Sequence, residues 1–183
     1  MARQNKVKYF SETLPYRNRN PLNIRFTKTV KWQGQKGEWQ GYVRFMSFEY
    51  GYRAAVKIIR YYQQHGIRSM GGIISHWASS RTIDATPAIE AENYVSRATV
   101  ASSIERYVKS VVLFMNARRC DPTALSYSAR SRIDLHDRKA TTHLLMAMTQ
   151  HEMGANTTQL RIMQGYAEWG YDKAVTAPDF FHN

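Results

Sequence analysis

The most constraining feature of this sequence is an amphipathic pattern that begins after Ser47 and stops at Gly66. Apolar side chains recur there at steps of three and four residues, which predicts a helix with one buried face. Ser47 is a favoured N-cap residue, and the dipeptide His65-Gly66 is typical of a helix end. The apolar positions of this face are Phe48, Tyr52, Ala55, Ile59 and Tyr62. We therefore expect this helix to lie in the core.

Two alternating segments before this helix predict a small antiparallel β-hairpin. They are IRFTKTVKW and GYVRF, both within residues 24–46, and Gly and charged residues separate them. We expect the hairpin turn around Gln35-Lys36-Gly37-Glu38. The stretch RNRNPLNIR at 17–25 precedes the hairpin, and its Asn and Pro residues predict a turn.

The remaining sequence predicts mainly helices. The expected segments are 70–77, 87–98, 104–115, 144–153 and a last helix from Asn156 or Thr157 through residue 169. Thr141 or Thr142 is expected to start the helix 144–153. The predicted fold class is therefore α+β and mostly helical, with one small β-hairpin. We expect an N-terminal arm over 1–16, a single domain over 17–175 and a short tail over 176–183.

Positive charge is concentrated in the N-terminal part of the chain. Residues 1–68 contain 14 Lys and Arg residues against 3 acidic residues, whereas 69–183 contain 12 against 11. A field of this sign attracts polyanions such as nucleic acid, anionic lipid headgroups and the acidic polymers of bacterial envelopes. Charge alone does not choose among these partners.

The composition indicates a folded protein without a disulfide framework. Apolar residues make up 43% of the chain and aromatic residues 13%, which is more than disordered chains contain. The single Cys120 excludes an intrachain disulfide, no Cys/His cluster has zinc spacing, and we expect neither a metal nor a cofactor. No apolar run approaches membrane-spanning length, and the N-terminus lacks the apolar core of a signal peptide. We therefore expect synthesis in a cytoplasm.

Several short motifs follow one another in a fixed order between residues 17 and 78. They are NPLNIR, WQG, EYGYRA and IISHWA. This order resembles a family of bacteriophage structural proteins with the patterns Asn-Asn-Pro-x-Asn-Ile-Arg, Trp-x-Gly, Glu-Tyr-Gly-x-Arg-Ala and Ile-Ile-x-x-Trp-Ala. The resemblance implies a virion protein that contacts other virion proteins. The chain departs from it at Arg19, where Asn is usual, and at Ser79-Ser80, where Pro-Pro is usual.

The phrase LLMAMTQHEMG at 144–154 resembles the helix that ends in the catalytic Glu of lysozyme-like enzymes and lytic transglycosylases. In the glucosaminidase branch, that helix comes before the Asn, Trp-x-Gly and Phe motifs, whereas here it follows them. We infer a circularly permuted lysozyme-like domain, which is feasible because domain termini often lie close together. The hypothesis requires the carboxyl group of Glu152 to lie beside the asparagine-containing turn.

This resemblance assigns roles to several residues. Glu152 would be the catalytic acid in cleavage of peptidoglycan glycan, and such an acid needs apolar walls that keep it protonated. Trp32, Tyr42 and Trp77 would stack on sugar faces, and Asn20 and Asn23 would orient a hydroxyl or N-acetyl group. Glu49 is the candidate for a second acid, although one-acid chemistry would not need it.

Other interpretations of the same residues remain. Glu49 lies in the first turn of a helix, where a carboxylate is stabilised by unpaired N–H groups. Asparagine residues in turns more often hold the backbone than bind a ligand. Three functions therefore stay open: a peptidoglycan-cleaving virion enzyme, a non-catalytic structural virion protein with the same fold, and a basic nucleic-acid-binding virion protein.

Overall fold

The computed structural model describes residues 10–79, 93–118 and 125–176, with the backbone alone for 93–100. The chain forms two compact units. The first consists of the residues up to Ala55 together with those from Met148 onward, and the second is Val56–Ala147. The predicted division into arm, domain and tail stays a prediction, because 1–9 and 177–183 lie outside the described residues.

The predicted fold class is confirmed, since the described chain is mostly helical with one two-stranded antiparallel sheet. A 3₁₀ helix at Phe10–Glu12 precedes the first α-helix. The elements in chain order are α1 (Leu14–Arg17), β1 (Gln35–Trp39), β2 (Tyr42–Phe45), α2 (Phe48–Gln64), α3 (Met70–Ser79), α4 (Asn93–Ala117), α5 (Arg138–Met153) and α6 (Thr157–Thr176).

The hairpin turn lies at Gln40-Gly41, so the turn predicted over 35–38 is wrong. Strand β1 instead occupies those residues, and Trp39 pairs with Tyr42 across the turn. Gln40 and Gly41 have φ values of 53° and 81°, and two positive φ values are required by the type I′ turns that match the twist of paired strands. The alternating segment 24–32 contributes only an isolated bridge between Arg25 and Tyr42.

The helix boundaries also differ from the predicted ones. Helix α4 is continuous where two helices, 87–98 and 104–115, are predicted, because no Gly or Pro interrupts residues 99–103. Helix α5 starts at Arg138 rather than near Thr141, because Asp137 Oδ1 accepts the backbone N–H groups of Lys139 and Ala140 at 2.7 and 3.0 Å. Residue 87, the predicted start of the earlier helix, lies outside the described residues.

The predicted cap of the last helix is confirmed. Asn156 Oδ1 accepts the backbone N–H of Gln159 at 2.9 Å, and Gln159 Oε1 accepts the backbone N–H of Asn156 at 2.8 Å. This reciprocal pair satisfies two donors at the helix start. Helix α6 continues to Thr176, beyond the predicted end at 169.

In the first unit, the start of α2 packs closely against α6. A Cβ added to Gly170 would lie 2.7 Å from Tyr52 Cβ, 2.8 Å from Arg53 N and 2.9 Å from Glu49 O. These distances leave no room for a side chain, so Gly170 sets the separation of the two helix backbones. The ring of Phe48 stacks on that of Tyr166 at 5.6 Å along the same contact.

In the second unit, α3 packs against α4. An extended segment around residue 131 lies beside the start of α3. Met70 N donates to Ser131 O and Gly71 N donates to Ala129 O, both at 2.8 Å. Ser69 and Arg132 form an isolated antiparallel bridge. The segment around residue 131 is thereby fixed to the chain that leads into α3.

Two glycines of α6 provide a matched test of this packing. Gly170→Ala should destabilise the protein by about 1–3 kcal/mol, because its Cβ would overlap the α2 backbone. Gly165→Ala should instead stabilise it by about 0.5–1 kcal/mol, since nothing lies within 4 Å of the added Cβ. Urea unfolding followed by circular dichroism measures both changes. Equal effects of the two substitutions would contradict the close contact.

Candidate functional site

The asparagine-containing turn at 18–25 is held by the side chain of Asn20. Its Nδ2 donates to the carbonyl oxygens of Ile24 and Val43, each at 2.9 Å, and its Oδ1 accepts the N–H of Ile24 at 2.9 Å. Asn20 is fully buried. The amide therefore closes the turn and joins it to β2, and the predicted contact of Asn20 with a sugar stays a prediction.

Helix α2 packs directly on this turn. A Cβ on Gly51 would lie 2.7 Å from Pro21 Cδ and 2.6 Å from the carbonyl oxygen of Arg19. Leu22 has no exposed surface, which anchors the centre of the turn in the core. The turn therefore has the rigidity that a site residue within it needs.

Asn23 projects from this rigid turn and contacts Glu152. Its backbone has a φ of 53°, in the left-handed region that Asn tolerates better than most residues. Asn23 Nδ2 donates to Glu152 Oε2 at 3.1 Å. The contact that the permutation hypothesis requires, between residue 152 and the asparagine-containing turn, is thus present.

The other atom of the Asn23 amide is left unsatisfied. Asn23 Oδ1 is buried and has no hydrogen-bond partner within the described ranges. A buried acceptor of this kind costs about 1–3 kcal/mol, and most buried polar atoms of folded proteins have a partner. The turn therefore holds an amide in an arrangement that stability alone does not favour.

Glu152 lies at the C-terminal end of α5, in the part of this helix that belongs to the first unit. Thr149, three residues earlier on the same side, has its Oγ1 2.8 Å from the hydroxyl of Tyr52 in α2. Burial raises the pKa of the Tyr52 phenol above its usual range, so the group stays protonated. Met153 is buried next to Glu152, whose own side chain is half-buried. The helix end is thereby fixed while the carboxyl group reaches the surface.

Tyr42 and Trp32, two of the predicted sugar-stacking residues, also belong to the first unit. Tyr42 is half-buried in β2, and Arg25 Cζ lies 5.8 Å from the centre of its ring. Trp32 is half-buried just before β1, where its backbone N–H donates to Gln35 Oε1 at 3.0 Å. Each retains some exposed ring surface.

Two other predicted site residues lie in different settings. Glu49 is half-buried in the first turn of α2. A carboxylate at this position is stabilised by the N–H groups of the helix start. Trp77 belongs to the second unit, where it lies in α3 with only 4% of its surface exposed. Their assigned roles as second acid and sugar-stacking residue stay predictions.

The sequence interpretation missed two arginines of the first unit. The Nε atom of Arg25 and the Nε and Nη2 atoms of Arg53 are buried without a hydrogen-bond partner in the described part of the chain. Burial lowers the pKa of the Arg53 guanidinium from its usual value. Arg25 ends the NPLNIR motif, and Arg53 interrupts an otherwise apolar run of α2, so both positions had a sequence signal.

The hairpin exposes an aromatic side chain that has no core role. Trp39, at the end of β1, is 49% exposed, and Arg44 Cζ lies 6.0 Å from its ring. A cation over the ring holds an exposed indole in place. The hairpin thus has an exposed aromatic ring next to a guanidinium group.

The described residues contain no group of three His, Cys, Asp or Glu side chains that could hold a metal ion. Within the same ranges, no helix has the length and apolar character needed to cross a lipid bilayer. Comparison with known proteins adds no relative: no protein-family model matches the chain, and no curated protein matches it. The site is therefore defined by its geometry.

A double-mutant cycle tests the contact between Asn23 and Glu152. Asn23→Gly removes the amide while keeping the left-handed backbone accessible, and Glu152→Ala removes the carboxyl group. We expect a coupling free energy of about 0.5–1.5 kcal/mol in urea unfolding, the usual net contribution of one hydrogen bond. Asn23→Ala serves as a backbone control and should be less stable than Asn23→Gly. Strictly additive effects in the cycle would contradict the hydrogen bond.

Proposed function

We propose that this protein is a virion-associated, lysozyme-like or lytic-transglycosylase-like protein that cleaves the glycan strands of peptidoglycan. The observation that carries the proposal is the hydrogen bond between Asn23 and Glu152, which are 129 residues apart in sequence. The sequence motifs imply an active-site acid and a turn asparagine at these two positions. A permuted lysozyme-like domain explains why they meet despite the unusual order of the motifs.

Glu152 would act as the general acid that protonates the leaving glycosidic oxygen. Its Oε2 accepts a hydrogen bond from the Asn23 amide, which fixes the orientation of the carboxyl group. General acid catalysis requires such a fixed donor within hydrogen-bond reach of the oxygen it protonates. After the bond breaks, the same carboxylate can take a proton from a water or from a hydroxyl group of the sugar itself. When the proton comes from a hydroxyl group of the sugar, one acid suffices and Glu49 is not required.

The surroundings of the turn suit a glycan. Tyr42 and the exposed indole of Trp39 provide aromatic faces, and Arg25 lies beside the Tyr42 ring. The exposed cations of this unit favour an anionic cell wall. Transport within a virion would bring a protein of this kind to the wall.

The direct test compares two helical glutamates in peptidoglycan digestion. Glu152→Gln should lower the release of soluble fragments from purified sacculi by about 10²–10⁴-fold, the usual contribution of a general acid. Glu168→Gln is the matched control, because Glu168 is also half-buried and accepts an amide hydrogen bond, from Gln164 Nε2 at 2.9 Å. It should keep the wild-type rate.

Other results would redirect the proposal. Full digestion by Glu152→Gln would reject this residue as the acid. A wild-type protein that leaves sacculi intact under all conditions, yet is incorporated into purified particles, would favour the non-catalytic structural virion protein.

A nucleic-acid-binding virion protein is the second candidate. It is favoured by the exposed cations Arg17, Lys28, Lys31 and Lys36 in the first unit. Binding of this kind should weaken steeply with salt, since each neutralised phosphate releases counterions. We expect only weak DNA binding in a mobility shift at 0.15 M salt. Tight DNA binding would favour this candidate over the enzyme, provided that its affinity falls with salt at a slope that corresponds to several phosphate contacts.

A further inference from the structure

The second unit contains an open groove of about 550 Å³ that the proposed function does not use. It lies between the end of α2 and the extended segment before α5, and its basic lining residues are Arg68, Arg132 and His136. Its volume falls within the range of about 300–1,000 Å³ that is common for ligand sites. The groove is therefore large enough for a short ligand segment.

Two guanidinium groups that have no partner among the described residues lie at this groove. Arg132 pairs through its backbone with Ser69, which follows Arg68 directly, so the two arginines extend from neighbouring strands of chain. Neither side chain has a hydrogen bond or ion pair with any of the residues that the structure describes. Two positive charges that line the same groove attract an anion to it.

The rest of the lining limits which anion fits. The one carboxylate, Asp134, accepts the backbone N–H of His136 at 2.8 Å and so stabilises the local turn. Gln63 Nε2 donates to the carbonyl oxygen of Ile133 at 3.3 Å, which holds an amide at the groove wall. The groove therefore combines two guanidinium groups, an amide and some apolar surface with one fixed negative charge.

We propose that this groove binds a short peptide segment that bears a free carboxylate. The guanidinium group of an arginine can donate two parallel hydrogen bonds to a planar carboxylate. The amide and apolar surface suit a peptide backbone and small side chains. A long polyanion fits less well, because two arginines neutralise few phosphates.

A stem peptide of peptidoglycan and an acidic segment of a protein both present this chemistry. The binding does not depend on Glu152, so it can hold or fail separately from glycan cleavage. If the source is the stem peptide, the groove would add affinity for the same polymer whose glycan the first unit is proposed to cleave.

The test is isothermal titration of the full chain with defined probes. They are a synthetic stem tetrapeptide with free carboxylates, the same peptide with every carboxylate converted to an amide, an acidic peptide of ordinary L-amino acids, and a chitin tetrasaccharide without peptide. Wild type should bind at least one carboxylate peptide and should bind the amidated peptide about tenfold or more weakly. The preferred carboxylate peptide identifies the source.

The variants locate the binding. The double substitution Arg68→Gln and Arg132→Gln should weaken carboxylate binding by about tenfold or more, because both charge-assisted bonds are lost. Arg130→Gln is the matched control, since Arg130 is an exposed arginine of the same segment outside the groove lining. It should bind like wild type, and so should Glu152→Gln. Circular dichroism verifies that all variants are folded.

Three results would overturn the proposal. They are the absence of binding to both carboxylate peptides, equal binding of the amidated peptide, and unchanged binding by the folded double variant. Tighter binding of a single-stranded oligonucleotide that depends on Arg68 and Arg132 would also overturn it, in favour of a nucleic-acid groove.

Discussion

The candidate site depends on one hydrogen bond between distant parts of the chain, from Asn23 Nδ2 to Glu152 Oε2. It joins a turn near the N-terminus to the end of α5, two segments that are far apart in the sequence. Both ends of the bond are held independently of it. The turn is closed by the buried amide of Asn20, and the helix end is fixed by the contact between Tyr52 and Thr149.

The first unit contains several polar groups whose burial does not serve stability. The Asn23 amide oxygen and the Arg25 and Arg53 nitrogens are buried without partners among the described residues. Burial of unpaired polar atoms raises the free energy of the folded state, and proteins retain such atoms mostly where function needs them. These atoms lie in the turn and in α2, where the proposed site lies, and Thr141 Oγ1 of the second unit is buried in the same way among the described residues.

Much of the architecture could be predicted from periodicity. The apolar spacing over 48–62 predicted α2, and the capping preference of Asn156 predicted the start of α6. The errors came from competing local signals. A charged, Gly-containing stretch at 35–38 resembled a turn, but the positive φ values of Gln40 and Gly41 suit a tight hairpin better. Asp137 precedes α5 directly, and its carboxylate accepts N–H groups of the first turn, so the helix starts there rather than at Thr141 or Thr142.

The site was predictable only in part. Glu152 and Asn23 were found through motifs, and their proximity followed from the permutation hypothesis rather than from any spacing. The full burial of Asn20 could not be predicted, because a turn asparagine can face either the backbone or a ligand. The arginines of the turn, of α2 and of the groove were missed because a basic side chain in a sequence normally indicates a solvated surface. Only the fold shows which of them have no partner in the described part of the chain.

The most direct measurement of the central claim is mass spectrometry of the products released from purified sacculi by the wild-type protein. Cleavage by the proposed site predicts soluble sugar–peptide fragments whose new ends lie at glycosidic bonds, with either a reducing or an anhydro terminus. Sacculi that remain insoluble, or fragments cut only at peptide bonds, would contradict the account.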